Sequence, residues 1–181
     1  MVGGGNTGFQ VAEELAATRE VHLAVGTRQM PLPQRMVGRD LFDWLVALGV
    51  MRVTTGSRIG RRLSERETLV GSSPRGARRL GIELHPRAIS AADAAVAFED
   101  GSRIEPAAVI WATGFELDNR WIDAPVFDEH GAIVQDRGVT SVPGLSFLGL
   151  PWMRTRGSAL LGWVGEDAEH LADVVAAWAA A

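Results

Sequence analysis

The chain opens with almost no apolar lead-in: Met1-Val2 is followed at once by Gly3-Gly4-Gly5-Asn6-Thr7-Gly8. Helical periodicity then takes over. Gly8, Ala12 and Leu15 fall on one face with Val11 beside it, while Glu13 and Glu14 point elsewhere, which predicts a helix over 9–17. Val21-His22-Leu23-Ala24-Val25 reads as a short buried strand. A strand remnant, a glycine turn, a helix and a strand fit the first part of a βαβ unit. A proline-rich loop is expected over 29–38, and Asp40–Gly49 has the pattern of an amphipathic helix stopped by glycine. Strands are expected at 82–85, 94–98 and 102–106, with Glu99-Asp100-Gly101-Ser102 as a hairpin turn. They form a three-strand meander, followed by a buried apolar strand, Ala108–Ala112, that ends at Thr113-Gly114. Beyond Gly114 the chain turns polar. Val126-Phe127-Asp128 and Ala132-Ile133-Val134 flank a Glu129-His130-Gly131 turn, and Val142-Pro143-Gly144 leads into an apolar strand ending near Leu150. The last element is a helix over 158–179, with Leu161, Val164, Ala168, Leu171, Val174, Val175 and Trp178 at helical spacing. The class is α/β, with no internal repeat and no low-complexity linker.

The glycines carry a mechanism. In G-x-G-x-x-G the first glycine permits the tight turn out of a strand. The second lets the backbone approach a pyrophosphate, and the third packs the helix against the strand. The pyrophosphate rests on the free N–H groups of the helix N-terminus. The end of the second strand selects the nicotinamide. A carboxylate there would bind the ribose hydroxyl of NAD, but the chain has Gly26-Thr27-Arg28-Gln29. Thr27 offers a hydroxyl and Arg28 a planar fork suited to the extra phosphate of NADP. A second basic approach to a helix, Met153-Arg154-Thr155-Arg156-Gly157, suits an anion or a cofactor edge, and a plain helix cap equally well.

Composition narrows the chemistry. The 181 residues carry a net charge of −4, with no nucleic-acid footprint. Arg52, Arg58, Arg61, Arg62, Arg66, Arg75, Arg78 and Arg79 lack interleaved aromatics and read as a solvated or nucleotide-facing surface. No apolar run is long enough to span a bilayer and no signal peptide is visible, so the expectation is a cytoplasmic protein without a membrane partner. With no cysteine there is no thiolate metal site or C-x-x-C pair. All 18 basic residues are arginine, so there is no Schiff-base lysine, and with no tyrosine there is no Tyr–Lys acid–base pair. His22, His85, His130 and His170 lie on a strand, a strand, a turn and a helix. No pair has metal-ligand spacing, and each reads as a structural or surface residue. Trp111, bordering Thr113-Gly114, is the one tryptophan expected to line a cofactor.

Three motifs in order, Gly3-Gly4-Gly5-Asn6-Thr7-Gly8, Trp111-Ala112-Thr113-Gly114-Phe115 and Pro143-Gly144-Leu145-Ser146-Phe147-Leu148-Gly149-Leu150, give the chain a family likeness. It resembles the C-terminal half of flavin-containing monooxygenase-like NAD(P)/FAD-dependent oxidoreductases, above all bacterial flavoproteins associated with cation diffusion facilitators. The segments 33–40 and 156–165 fit the same group, so the likeness covers nearly the whole chain. It implies two nested dinucleotide domains. Residues 1–115 would be a Rossmann-like NADP-binding domain with a β-meander and a truncated first strand. Residues 116–181 would be the returning C-terminal part of an FAD-binding domain. Gly3, Gly5, Asn6, Thr7 and Gly8 would cradle the NADPH pyrophosphate, Thr27 and Arg28 would meet its ribose phosphate, and Ala112, Thr113 and Gly114 would form the crossing towards the FAD domain. In the family NADPH reduces the flavin, and reduced flavin activates O₂ for transfer of one oxygen atom to a small-molecule soft nucleophile or ketone. That chemistry is the cofactor's, so no catalytic side chain is implied. The family's own FAD glycine motif and inter-domain signature are absent. The chain is therefore expected to be a fragment, the product of a misplaced start or one half of a split enzyme, with a second copy or the missing FAD-domain half as its partner. The alternative is a non-catalytic NADP-binding module without flavin. A disulfide reductase relative is disfavoured by the lack of cysteine.

Overall fold

Val2 is bonded on both sides. Its N–H donates to the Ile110 carbonyl at 2.9 Å, and the Ala112 N–H donates back to Val2 at 2.7 Å. On the other side the Ala24 N–H donates to the Met1 carbonyl and the Gly3 N–H to Ala24, both at 3.0 Å. All of these pairings are parallel. Val2 thus holds the centre of a ladder, in a computed structural model that describes residues 1–64 and 68–180.

The elements follow in chain order. The first part holds α1 (Asn6–Leu15), β1 (His22–Ala24), β2 (Met30–Leu32), β3 (Arg35–Met36), β4 (Arg39–Asp40) and α2 (Leu41–Ala47). A 3₁₀ turn (Val50–Arg52) precedes α3 (Arg58–Ser64), β5 (Thr68–Val70) and α4 (Pro74–Arg79). Then come β6 (Glu83–His85), β7 (Ala88–Ala92), β8 (Ala95–Phe98), β9 (Arg103–Ile104) and, at the end, α5 (Gly165–Ala179). They group into two compact units, residues 1–41 with 66–116 and residues 42–65 with 117–181. The chain passes between them at 116/117, and segment 42–65 groups with the C-terminal residues. Its reasons are non-local: Gly157 N–H donates to Met51 O at 3.2 Å, Thr55 N–H to Arg154 O at 3.0 Å, and Arg52 pairs with Glu166 at 2.9 Å.

In the first unit β1 pairs in parallel with β6, extending the ladder to four segments: 110–112, Val2, β1 and β6. Side chains alternate across it. Leu23 joins Phe9, Ala12, Val21, Leu69, Ala77 and Ile82 in a core on the helical face. Ala24 packs with Val96 and Phe98 on the other face. That face is covered by the antiparallel sheet β7-β8-β9. The meander therefore begins at β7, and 82–85 belongs to the parallel ladder instead. Its first turn was hidden in an alanine-rich stretch. Asp93 and Ala94 both take positive φ, as a two-residue hairpin of primed type requires. The second turn is the expected one, where Asp100 Oδ1 accepts from Ser102 N–H at 3.0 Å and from its hydroxyl at 2.6 Å. The proline-rich 29–38 stretch is not a plain loop. Pro31 sits in β2, paired in parallel with β5, and β3-β4 is a tight hairpin turning at Val37-Gly38. A two-stranded ribbon leaves every strand an edge, where proline is tolerated. The expected buried strand at 108–112 is an exposed edge, with Trp111 61 % exposed. Among the described residues only Val2 pairs with it.

In the second unit the 126–134 hairpin forms as expected, with Asp128 Oδ1 accepting from the His130 and Ala132 N–H groups at 2.9 and 2.8 Å. The 145–150 segment makes only an isolated antiparallel bridge, Val139 to Ser146, in place of a regular strand. The last helix starts at Gly165, seven residues later than its periodicity suggests. Buried Ser158 accepts from the Arg154 and Thr155 N–H groups through its hydroxyl at 3.3 and 3.1 Å, which fixes 154–158 as a turn. A side chain that holds the backbone this way competes with a helix. The arginine-dense segment is solvent-exposed at every described arginine, and Arg66 lies outside the described residues. Among the described residues no helix is long and apolar enough to cross a membrane.

The tightest packing lies where α1 leaves the ladder: a Cβ on Gly8 would strike the Gly3 carbonyl oxygen. Both are backbone positions that cannot yield cheaply. Gly8→Ala is expected to destabilise the fold by about 1–3 kcal/mol, measured by urea unfolding.

Candidate functional site

The four glycines at the start of the chain have different duties. Gly3 has φ +129°, and a Cβ there would collide with the Ala112 carbonyl oxygen. Gly4 lies against Val25, whose Cγ1 would be 2.6 Å from an added Cβ. Gly8 packs on Gly3 as described. Gly5 alone is unconstrained by the protein: a Cβ there would meet only Gln29 Nε2, at an ordinary 3.7 Å. Its backbone is extended, at φ −81° and ψ −178°, which any residue adopts. A glycine that neither turn nor packing demands leaves open space above the helix end.

That helix end is electropositive. The N–H groups of Asn6, Thr7 and Gly8 point out of the first turn of α1, as they must in any α-helix. Gly5 offers no side chain to cap them, and the turn carries no acidic residue. The 26–29 bend flanks the opening through Gln29. Thr27 and Arg28 are exposed on that bend. On the other side, Ala112 is held by Val2, and the exposed Thr113-Gly114 leaves the ladder with Gly114 at φ +93°. The glycine turn, Thr27, Arg28, Ala112, Thr113 and Gly114 therefore gather at the carboxyl edge of one parallel ladder, where α/β crevices form. The arrangement can hold an elongated anion: helix N–H groups for one phosphate, arginine for another.

Two features escape a reading by sequence. Asn6 does not offer its side chain to the opening. Its Nδ2 donates to Thr68 O at 2.9 Å and its Oδ1 accepts from Val70 N–H at 2.7 Å, so it clasps β5 like a strand backbone. Only its main-chain N–H is left for a ligand. Arg87, just after β6, lays its guanidinium against Gly26, donating to Gly26 O at 3.4 Å. It brings a second exposed guanidinium to the Arg28 bend from 59 positions on. No local signal marks it; only the β1–β6 register does.

The basic 153–157 segment is otherwise engaged. Arg154 faces Asp167 at 3.4 Å and Glu166 at 3.8 Å, both on the first turn of α5, and Arg156 lies over the Trp152 ring at 5.9 Å. Two carboxylates at that helix start repel an anion, so no phosphate seat forms there. The Trp111 ring is exposed on the edge strand. The histidines, dispersed in sequence, include a pair in contact: His22 Nδ1 and His85 Nε2 are 2.9 Å apart. His85 stacks on Phe98 at 4.2 Å, and burial lowers its proton affinity below the ordinary value.

Similarity now adds to the geometry. A CzcO-like uncharacterized oxidoreductase of Geobacillus kaustophilus is 43 % identical over 174 residues, which is 94 % of this chain and 50 % of that protein. An uncharacterized oxidoreductase CzcO of Bacillus subtilis is 38 % identical over the same span and shares. Nearly the whole chain is thus similar to half of each of these two proteins. It spans about half the length of these relatives. No family model matches it. Among solved structures, a flavin-containing monooxygenase from Stenotrophomonas maltophilia superposes with a TM-score of 0.62 at 24 % identity, covering 97 % of this chain and 48 % of that one. The Q193R H194T mutant of a flavin monooxygenase from the same organism gives 0.61 at 22 % identity, covering 97 % and 49 %. The mixed α/β fold of this chain is thus similar to that of the matching part of a flavin monooxygenase.

Asn6 and Thr7 separate structure from ligand contact. Removing the Asn6 clasp by Asn6→Ala is expected to cost about 1–3 kcal/mol in denaturant unfolding. Thr7→Ala, at an exposed position, should stay within about 0.5 kcal/mol.

Proposed function

We propose that this chain supplies the nicotinamide-binding half of an NADPH-dependent, monooxygenase-like flavoprotein oxidoreductase. The observation that carries the reading is Gly5. Its missing side chain serves no turn and no packing contact, but it clears the approach to three outward N–H groups. A pyrophosphate fits that description in charge and in closeness of approach. In this reading Gly3, Gly5 and Gly8 shape the cradle, and the backbone N–H groups of Asn6, Thr7 and Gly8 bind the pyrophosphate. Thr27 and Arg28, with Arg87 beside them, take the ribose phosphate of NADP. Ala112, Thr113 and Gly114 carry the chain from this Rossmann-like part back towards an FAD-binding part formed by the residues after 116. A bound nicotinamide would supply hydride, and the chain's own residues would only seat and orient it.

The described residues do not by themselves fit a flavin pyrophosphate. The other long helix, α5, starts at Gly165 and carries Glu166 and Asp167 in its first turn, where they disfavour a pyrophosphate. The FAD is accordingly assigned to the remaining length of the relatives, to which this chain corresponds as the C-terminal half. The exposed 110–112 edge, bearing Ile110 and Trp111, suits association with that remainder or with another chain. Substrate oxygenation, on a small soft nucleophile or ketone, belongs to the assembled flavoprotein, which the reading places in the cytoplasm.

Gly5→Ala tests the cradle. Its stability should stay within about 1 kcal/mol of the parent, because the backbone is extended and the space is free. Its affinity for NADPH, read by fluorescence titration, should fall at least about tenfold. Unchanged affinity would remove the nucleotide from this site. Arg28→Ala tests the cofactor choice: it should weaken NADPH more than NADH by about 1–3 kcal/mol, and equal losses would remove the basis for NADP.

A further inference from the structure

We propose that His22, Glu83 and His85 form a binding site for a divalent transition-metal cation of the Zn²⁺ type. The site lies on the meander-facing side of the parallel ladder, away from the glycine turn. The register builds it. His22 and Glu83 are direct partners on β1 and β6, and His85 follows Glu83 by two residues, so all three side chains emerge on one face. His22 Nδ1 lies 2.9 Å from His85 Nε2 and 3.4 Å from Glu83 Oε2, and His85 Nε2 lies 3.6 Å from Glu83 Oε1. All three residues can place a ligand atom within 4.8 Å of the others. A tetrahedral ion with bonds of about 2.0–2.2 Å sets its ligand atoms about 3.3 Å apart. To accept one, the two ring nitrogens part by a few tenths of an ångström and the exposed Glu83 carboxylate turns one oxygen, already within 4.8 Å of both, towards the ion.

The surroundings favour ligation over a bare hydrogen bond. His85 is buried and its ring orientation is fixed by Phe98, stacked at 4.2 Å and 9°. The second nitrogen of His22, Nε2, has the Glu20 carboxylate at 3.5 Å, the kind of outer partner that orients metal-binding imidazoles. Two imidazoles and a carboxylate select Zn²⁺ or Co²⁺ over Mg²⁺ or Ca²⁺, and three protein ligands leave a fourth position for water. The ion takes the place of the proton shared by the two ring nitrogens, with His85 then carrying its proton on Nδ1. His22 and Glu20 also line a cavity of about 530 Å³, which gives an ion a way in.

The test uses the 181-residue chain, stripped with chelator, and Zn²⁺ in competition with a chromophoric chelator. Co²⁺ substitution is followed by its visible spectrum. The expected result is one Zn²⁺ per chain and the intense bands of tetrahedral Co²⁺. His22→Gln and Glu83→Gln, both at solvent-reachable positions, should each lower the Zn²⁺ affinity by about 10–100-fold or more with an unchanged circular dichroism spectrum. His130→Gln, altering an exposed histidine in the turn of the 126–134 hairpin, should leave the affinity unchanged. Absence of Zn²⁺ binding, or binding that survives both site variants or is lost with His130, would overturn the proposal.

Discussion

The arrangement of the glycine turn and the carboxyl edge of the parallel ladder depends on how Val2 and Gly3 are held. Val2 is bonded in parallel on both sides, to Ala24 across one edge and to Ile110 and Ala112 across the other. That ladder fixes the height at which the chain turns. Gly3 then passes so close beneath the Ala112 carbonyl that no side chain fits, and Gly8 returns so close over Gly3 that none fits there either. Three backbone segments meet with no side chain between them. The axis of α1 is set by this contact, and so is the direction in which its first N–H groups point. The hydrogen bonds that hold Met1, Val2 and Gly3 in the ladder are main-chain bonds to Ala24 on one side and to Ile110 and Ala112 on the other.

The same ladder explains the open space at Gly5. With Gly3 and Gly8 consumed by packing, Gly5 remains as the one glycine of the G-x-G-x-x-G pattern whose freedom the protein does not use. The β1–β6 pairing has two further consequences in one register. On the meander face it brings His22, Glu83 and His85 together, and at its carboxyl end it delivers Arg87 to the bend that carries Arg28. One strand pair thus positions both the proposed nucleotide edge and the His22, Glu83 and His85 cluster.

Local chemistry was legible in the sequence where a short stretch determines its own geometry. The glycine turn, α1, β1, the Asp100–Ser102 turn and the 126–134 hairpin fall where pattern and turn residues put them. What escaped was set at long range. The grouping of 42–65 with the C-terminal residues rests on bonds such as Met51 to Gly157. The late start of α5 rests on the buried Ser158 hydroxyl holding the preceding turn. That the Asn6 side chain is spent on β5, leaving only its main-chain N–H for the glycine turn, is likewise set at long range. Trp111 and its neighbours are apolar enough for a buried strand, yet apolarity cannot tell a central strand from an edge. The histidine pair lies 63 positions apart and has no spacing to betray it.

The account stands on the claim that the α1 end is a nicotinamide dinucleotide seat. Amide NMR of the isotopically labelled chain titrated with NADPH tests it most directly. The predicted result is a saturable set of shifts centred on the N–H groups of Gly5, Asn6, Thr7 and Gly8, extending to Thr27 and Arg28, with the start of α5 unmoved. Shifts centred on 153–167, or no saturable shifts at all, would contradict it.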